Sequence, residues 1–407
     1  MKLLGTYKPF FSSISLKDVE NLSDAEDLLN ILNNEEQLLV VFFHEYTHYL
    51  QNYGTTSGIN ENRVKCYRLK KIKELEQITL PLERKDIDNN NILLYYDISF
   101  GEIKEFKKIE DIKLDCDENC QIYICKIIQS QNNDFLFGSV HIHESMAILV
   151  EELVLNKPAS KDELPKNPYF IVEYVVQREF PKLWENKLLV FALCEFCLNF
   201  SYSNGYYFVK LLREMKNSSQ NFQTVDDIIQ FCEGYTKFDK NIYFENQELI
   251  KNHTKSILQG FTEFEDYIEE TYNRFYSVKQ ENFYFITKWI ENYLDMKGNL
   301  DKYDLVNKCG FPILQIESSG DLVDFATPKK SETLKALLPF NDIFNYLNNY
   351  NQNNQTYPCS LYSICTMSTK NDSYLTSPFN RAIYHECFED CPYTLVWKKL
   401  SLKDKIK

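Results

Sequence analysis

Glycine and proline are scarce, at 11 and 12 of 407 residues. Few positions can therefore break a helix or make a tight turn, which disfavours many short strands and favours long helices. Basic residues fall short of acidic ones, 45 against 59, leaving a formal net charge of -14. Such a surface repels phosphate backbones, so no nucleic-acid partner is expected. The densest basic stretch, RLKKIK at 68–73, alternates with apolar residues and reads as a solvated helix face. No uncharged apolar run approaches the roughly 18 residues needed to cross a bilayer, so no membrane partner is expected either. The opening MKLLGTYKPFFSSISL is interrupted by Lys8 and Pro9 and offers no small-residue cleavage site, so it does not read as an export signal. A cytoplasmic location is the expectation. The 12 cysteines would then meet a reducing environment, as thiols or metal ligands rather than disulfides.

What is present is apolar bulk. Hydrophobic residues make up 44% and aromatics 15%, enough for a sizeable core in two or three packed units. Residues 24–53 read as helical, with a break at Asn33-Asn34 and Gly54 as the terminating residue. Another helix is expected over 61–77. The segments 92–98 (ILLYYDI), 121–128 (QIYICKII) and 134–142 (DFLFGSVHI) read as strands of a small antiparallel sheet. Helical patterning returns at 143–155, 169–179, 185–200, 206–216 and across 246–297, with a further helix near 331–348. The fold class is therefore α+β and predominantly α-helical. Three regions follow: 1–205 with a β-rich insert at about 90–142, a helical region 206–347, and a polar linker and cysteine-bearing tail 348–407.

One short sequence carries chemistry: His44-Glu45-Tyr46-Thr47-His48, an HExxH. On a helix, residues four apart project from one face, one turn above the other, so both imidazoles can reach a single Zn²⁺. Glu45 sits beside that position, where a carboxylate can take a proton from metal-bound water. In a chain with six histidines, a chance HExxH is about a one-in-a-hundred event.

With its flanks, this stretch resembles the zincin metallopeptidase pattern. Val41, Phe42, Tyr46, Thr47, Tyr49 and Leu50 supply the apolar and uncharged residues that pattern requires. The metzincin branch would place Gly and His where this chain has Gln51 and Gly54, so it is excluded. The gluzincin branch takes its third ligand from a Glu on a later helix. The resemblance implies a zinc-dependent peptidase acting on a peptide or protein, with a zincin-like catalytic core in residues 1–205. The metal ligands would be His44, His48 and Glu144, with Glu45 as catalytic base. Glu144 stands in Glu144-Ser145-Met146-Ala147, similar to the Glu-x-x-Ala of third-ligand helices, although Ile148 stands close to where several of those families carry an orienting Asp. His141, His143, Glu151 and Glu152 are the competing ligands. Glu151 would share a face with Glu144 and could instead accept a hydrogen bond from a ligand imidazole.

Such a site also needs a donor for the developing oxyanion, for which Tyr169, Tyr174, His253, Tyr384 and His385 are candidates. Glu173 is a further candidate for orienting an imidazole. The 134–142 strand could bind extended substrate along an edge. Cys194 and Cys197 lie mid-helix and read as core thiols, while Cys116, Cys120 and Cys125, in or beside strands, have spacings that match no zinc module and read as structural. In the tail, Cys359, Cys365, Cys387 and Cys391 could hold a second, structural Zn²⁺. Two other functions remain open on the sequence: a zinc amide hydrolase that is not a peptidase, and an inactive zincin-like protein that binds a partner.

Overall fold

Apolar residues at helical spacing dictate most of the architecture. The computed structural model of the chain describes residues 5–8, 13–16, 25–77, 92–117, 122–130, 133–157, 161–200, 202–258, 262–296, 301, 303–316 and 322–323. Strands β1 (Gly5–Lys8) and β2 (Ser13–Leu16) precede helices α1 (Ala25–Asn34), α2 (Glu36–Gly54) and α3 (Thr56–Glu74). Helix α4 (Ile92–Phe100) leads into β3 (Ile109–Asp117), β4 (Ile122–Gln129) and β5 (Phe135–Phe137). Helices α5 (Ser139–Val154), α6 (Ile171–Glu179), α7 (Lys187–Phe200) and α8 (Asn204–Asn217) follow. Then come α9 (Val225–Thr236), α10 (Asn241–Leu258), α11 (Thr262–Glu281), α12 (Phe285–Asp295) and α13 (Asp304–Cys309). The last described strands are β6 (Ile313–Ile316) and β7 (Leu322–Val323).

The protein is α+β and mostly helical, with β3, β4 and β5 forming a three-stranded antiparallel sheet in that order. A second sheet, β1-β2-β6-β7, joins the two ends of the described chain, because β2 runs parallel to β6 with Ile14 opposite Leu314. Among the described residues no helix is long and apolar enough to cross a membrane. One continuous core runs from Ile14 to Leu314. Its main buried charges are paired off with polar groups. Glu195 on α7 accepts from the Thr287 amide at 2.8 Å and its hydroxyl at 2.5 Å, while Lys279 on α11 donates to Asn199 at 2.8 Å and the Phe283 carbonyl at 2.7 Å.

Four expectations change. The helix expected over 61–77 begins at Thr56 and ends at Glu74, because Thr55 caps it directly after α2. Residues 92–98 form helix α4 rather than a strand. A short, nearly continuous apolar run carries no decisive periodicity, and here Tyr96 stacks on Phe100 four residues on, at 5.5 Å, as a helix face requires. The strand expected over 134–142 ends at Phe137, and His141 and His143 already lie in α5. Strand β3 was not expected at all. A bulge between Ile109 and Asp111 adds a residue, so Ile109 and Ile112 both face the core and the period-2 signal is broken. The helix expected near 331–348, the linker, the cysteine tail and Cys120 lie outside the described residues.

Helix α2 positions the site, and its back face is fixed by aromatics. Phe42, Tyr46, Tyr49 and Tyr53 recur at helical spacing and are all almost fully buried. Phe42 stacks on Tyr46 at 5.5 Å, and Tyr49 and Tyr53 both meet Phe275 of α11. Their hydroxyls reach the chain around α13: Tyr46 donates to the carbonyls of Gly310 (2.9 Å) and Leu305 (3.2 Å), and Tyr49 to Cys309 (3.1 Å). At its end, α2 runs through Gly54 to cap on Thr55. Gly54 is selected by space rather than by a left-handed backbone, since a Cβ there would lie 2.8 Å from the Phe285 ring. Thr55 accepts from the Gly58 amide at 3.1 Å and so starts α3, which folds back along α2 with Asn62 and Asn52 exchanging amide hydrogen bonds.

Gly58 makes this reversal possible. A Cβ there would sit 2.3 Å from the Gln51 carbonyl oxygen and 2.4 Å from the Asn52 Cα, both of them backbone. Gly58→Ala should therefore destabilise the protein by about 1–3 kcal/mol, read as a shift in denaturant midpoint. An unchanged midpoint would contradict this close approach.

Candidate metal centre

HExxH on α2 aims His44 and His48 from one face, and α5 brings Glu144 up to them from 100 residues along the chain. The α5 helix starts directly after β5, so the sheet fixes where it begins. His44 Nε2, His48 Nε2 and Glu144 Oε2 are mutually 3.3 Å apart along all three edges. In a regular tetrahedron the ligand–ligand edge is about 1.63 times the metal–ligand distance, so these edges correspond to about 2.0 Å, the length of a zinc–nitrogen or zinc–oxygen bond. Among the described residues this is the one group of three or more His, Cys, Asp or Glu that could share an ion. It is sheltered but reachable: the side chains of His44, His48 and Glu144 are 13%, 14% and 22% exposed.

The far side of each imidazole is also held. Glu151, two turns beyond Glu144 on α5, accepts from His44 Nδ1 at 2.7 Å. His48 Nδ1 donates to Gln51 Oε1 at 2.9 Å. With the Nδ1 protons so placed, the neutral tautomer of each ring leaves Nε2 as a bare lone pair facing Glu144. Charge agrees with this geometry. Burial works to lower the His44 pKa, but hydrogen bonds to Glu144 and Glu151 outweigh it and raise the value to about 10. His48 is raised by Glu144 against the same burial. Burial would raise the Glu144 carboxyl, yet the two histidines hold it far below the usual carboxylate range. The cluster therefore favours positive charge at its centre.

Glu45 is half-buried next to His44, and its charge acts on both histidines. Tyr169 lies across the site, its ring 5.9 Å from that of His44. Its carbonyl accepts from Ser145 of α5 at 2.9 Å. Burial, with the charges of Glu144, Glu45 and Glu151, pushes its phenol up to about 12, so the hydroxyl keeps its proton at neutral pH.

The other sequence candidates are placed elsewhere. Glu152 pairs with Lys187 at 2.8 Å, and Glu173 with Lys161 at 2.5 Å. Tyr174 stacks on Phe106 at 4.7 Å, and His253 is exposed on α10. Tyr384 and His385, together with Cys359, Cys365, Cys387 and Cys391, lie outside the described residues. The edge of β5 is not open to substrate, because Leu136 donates to the Glu102 carboxylate at 3.0 Å and accepts from the Glu102 amide at 2.9 Å. A chain segment already fills the place proposed for an extended peptide. Cys194 and Cys197 are buried free thiols in α7, and Cys125 is buried while Cys116 is exposed. Gln51 is the residue that sequence reading missed. Its spacing of three from His48, on the same helix, was the available signal.

No family model, curated protein or solved structure matches this chain.

His141 and His143 precede Glu144 on α5 without joining the triangle. His141 Nδ1 accepts the Gly138 amide proton at 3.1 Å, and its ring lies 5.4 Å from both Phe135 and Phe137. Burial lowers the pKa of each from 6.5 to about 4. A depressed histidine contributes stability that is present above its unfolded pKa and lost as pH falls towards its folded one. The protein should therefore lose stability between about pH 6.5 and 4, and His141→Gln should flatten that decline in denaturant midpoints measured across the range. An equally steep decline in the variant would remove His141 as a cause.

Proposed function

We propose that this chain is a zincin-like, zinc-dependent hydrolase of peptide bonds, with His44, His48 and Glu144 as metal ligands and Glu45 as general base. The observation that carries the reading is the 3.3 Å triangle of two imidazole nitrogens and one carboxylate oxygen. That donor set suits zinc, whereas magnesium and calcium take oxygen ligands. Structural zinc sites close with four protein ligands, while catalytic ones keep a position open for water or substrate. Three side chains converge here among the described residues, which supports the catalytic kind.

Bound there, zinc supplies Lewis acidity, which makes water a nucleophile at neutral pH and polarises a carbonyl. Glu45 takes the proton of the attacking water and passes it to the leaving amine. Tyr169 retains its own proton and donates a hydrogen bond to the oxygen on which negative charge develops. Glu151 holds the His44 ring in position through Nδ1.

Elemental analysis of the purified protein should find zinc bound in the wild type and lost from this site in Glu144→Ala. Glu45→Gln should keep the zinc and lower peptide hydrolysis by about 10²–10⁴-fold. Tyr169→Phe should also keep it and lower kcat by about 10²–10³-fold. A wild type that binds no zinc would overturn the reading. Zinc with full activity in Glu45→Gln would overturn the base assignment alone. Hydrolysis of small amides but never of peptides would move the substrate, leaving the metal chemistry in place.

A further inference from the structure

Gln51 is almost fully buried, and both ends of its amide are used. Its nitrogen donates to the backbone carbonyl of His143 at 3.0 Å, and its oxygen meets His48 Nδ1 at 2.9 Å. These two contacts fix each other. A carbonyl can only accept, so the NH₂ group must face His143. The amide oxygen is thereby turned towards His48, and since it too can only accept, Nδ1 must carry a proton. The neutral His48 ring is then left with its lone pair on Nε2, at the corner of the triangle shared with His44 and Glu144. His143 immediately precedes Glu144 on α5, so the same amide ties the helix bearing two ligands to the residue beside the third.

We propose that Gln51 is a positioning residue of the metal centre: it selects the His48 tautomer and sets the spacing of α2 against the third-ligand helix. The proposal rests on the metal reading above. It makes the support of the two imidazoles unequal, with a carboxylate behind His44 and a neutral amide behind His48. The neutral partner has an electrostatic reason. Glu45, Glu144 and Glu151 already act on the histidines, with Glu61 close to His48, and a fifth carboxylate facing the His143 carbonyl oxygen would be repelled by it.

The test is zinc affinity, measured with zinc alone against a competing chelator, for the wild type, Gln51→Leu and Gln51→Glu. Gln51→Leu removes both hydrogen bonds and should weaken zinc binding by about 10–100-fold. Gln51→Glu keeps an acceptor for His48 Nδ1 but sets a carboxylate against the His143 carbonyl oxygen, so it should recover only part of that loss. The ¹⁵N-histidine spectrum of the zinc-loaded wild type should show a protonated, slowly exchanging His48 Nδ1 that Gln51→Leu makes fast-exchanging. If Gln51→Leu does not fold by circular dichroism, Gln51→Met carries the same comparison at nearly constant shape. Wild-type affinity in the Leu or Met variant, or a Glu variant as weak as Leu, would overturn the proposal and leave the metal reading intact. No zinc in the wild type would overturn both.

Discussion

Two imidazole nitrogens and a carboxylate oxygen, each 3.3 Å from the others, present lone pairs to one another and are mutually repulsive unless positive charge lies among them. The protein meets this constraint from behind. Glu151 and Gln51 hold the Nδ1 sides of the rings, so neither imidazole can turn away. Protons satisfy the arrangement when they are the cations present, which is why His44 is raised and Glu144 depressed. A divalent ion satisfies it better, because one charge centre reaches all three donors at once. Proton and metal thus compete for the same geometry.

Holding mutually repelling groups in place needs a stiff support, and the back of α2 supplies one. Four aromatic side chains at helical spacing are buried against α11 and the chain around α13, and tyrosine hydroxyls satisfy the carbonyls of residues 305, 309 and 310. Buried phenols would be costly without those acceptors; with them they fix the rotation of the helix as well as its depth. Rotation matters more than depth for an HExxH helix. A turn of a few tens of degrees would leave the hydrophobic contacts tolerable and point both imidazoles away from Glu144. The far end of the described chain therefore supports a site whose described residues lie between 44 and 169.

The legible parts of the sequence were those governed by local rules. HExxH states its own geometry once a helix is granted, and the break beside Asn33-Asn34 and the end of α2 at Gly54 follow from residues on the spot, although the next helix begins at Thr56 rather than 61. Glu144 was reachable through a resemblance of four residues, and the structure brings it to the two histidines ahead of Glu152, His141 and His143. What stayed hidden was non-local or ambiguous in period. The pairing of β2 with β6 joins residues about three hundred positions apart, and four-residue strands carry too little pattern to announce it. The β3 bulge broke an alternation that would otherwise read plainly. The occupied edge of β5 depends on Glu102, whose backbone and side chain fold onto Leu136 without any sequence signature. Gln51 carried one local signal, its spacing of three from His48, but its other partner, the His143 carbonyl, is 92 positions away and left none.

The distribution of charge links site and fold thermodynamically. Glu45, Glu144 and Glu151 lie around two histidines, and Glu61 close by is held below its usual pKa, against the effect of burial, by Lys65. Crowding carboxylates in this way costs folding free energy, and a bound dication recovers it. On the proposed reading, zinc is therefore part of what stabilises α2 against α5, and its effect grows with the logarithm of free metal over its dissociation constant. The chain between the two ligand helices can be long without losing this advantage, since loop-closure entropy rises only as the logarithm of length. What it must preserve is the start of α5 on the end of β5, because that junction sets where Glu144 meets the histidines. On these grounds a one-residue insertion or deletion between Phe137 and Glu144, which rotates Glu144 by about 100°, dismantles the triangle.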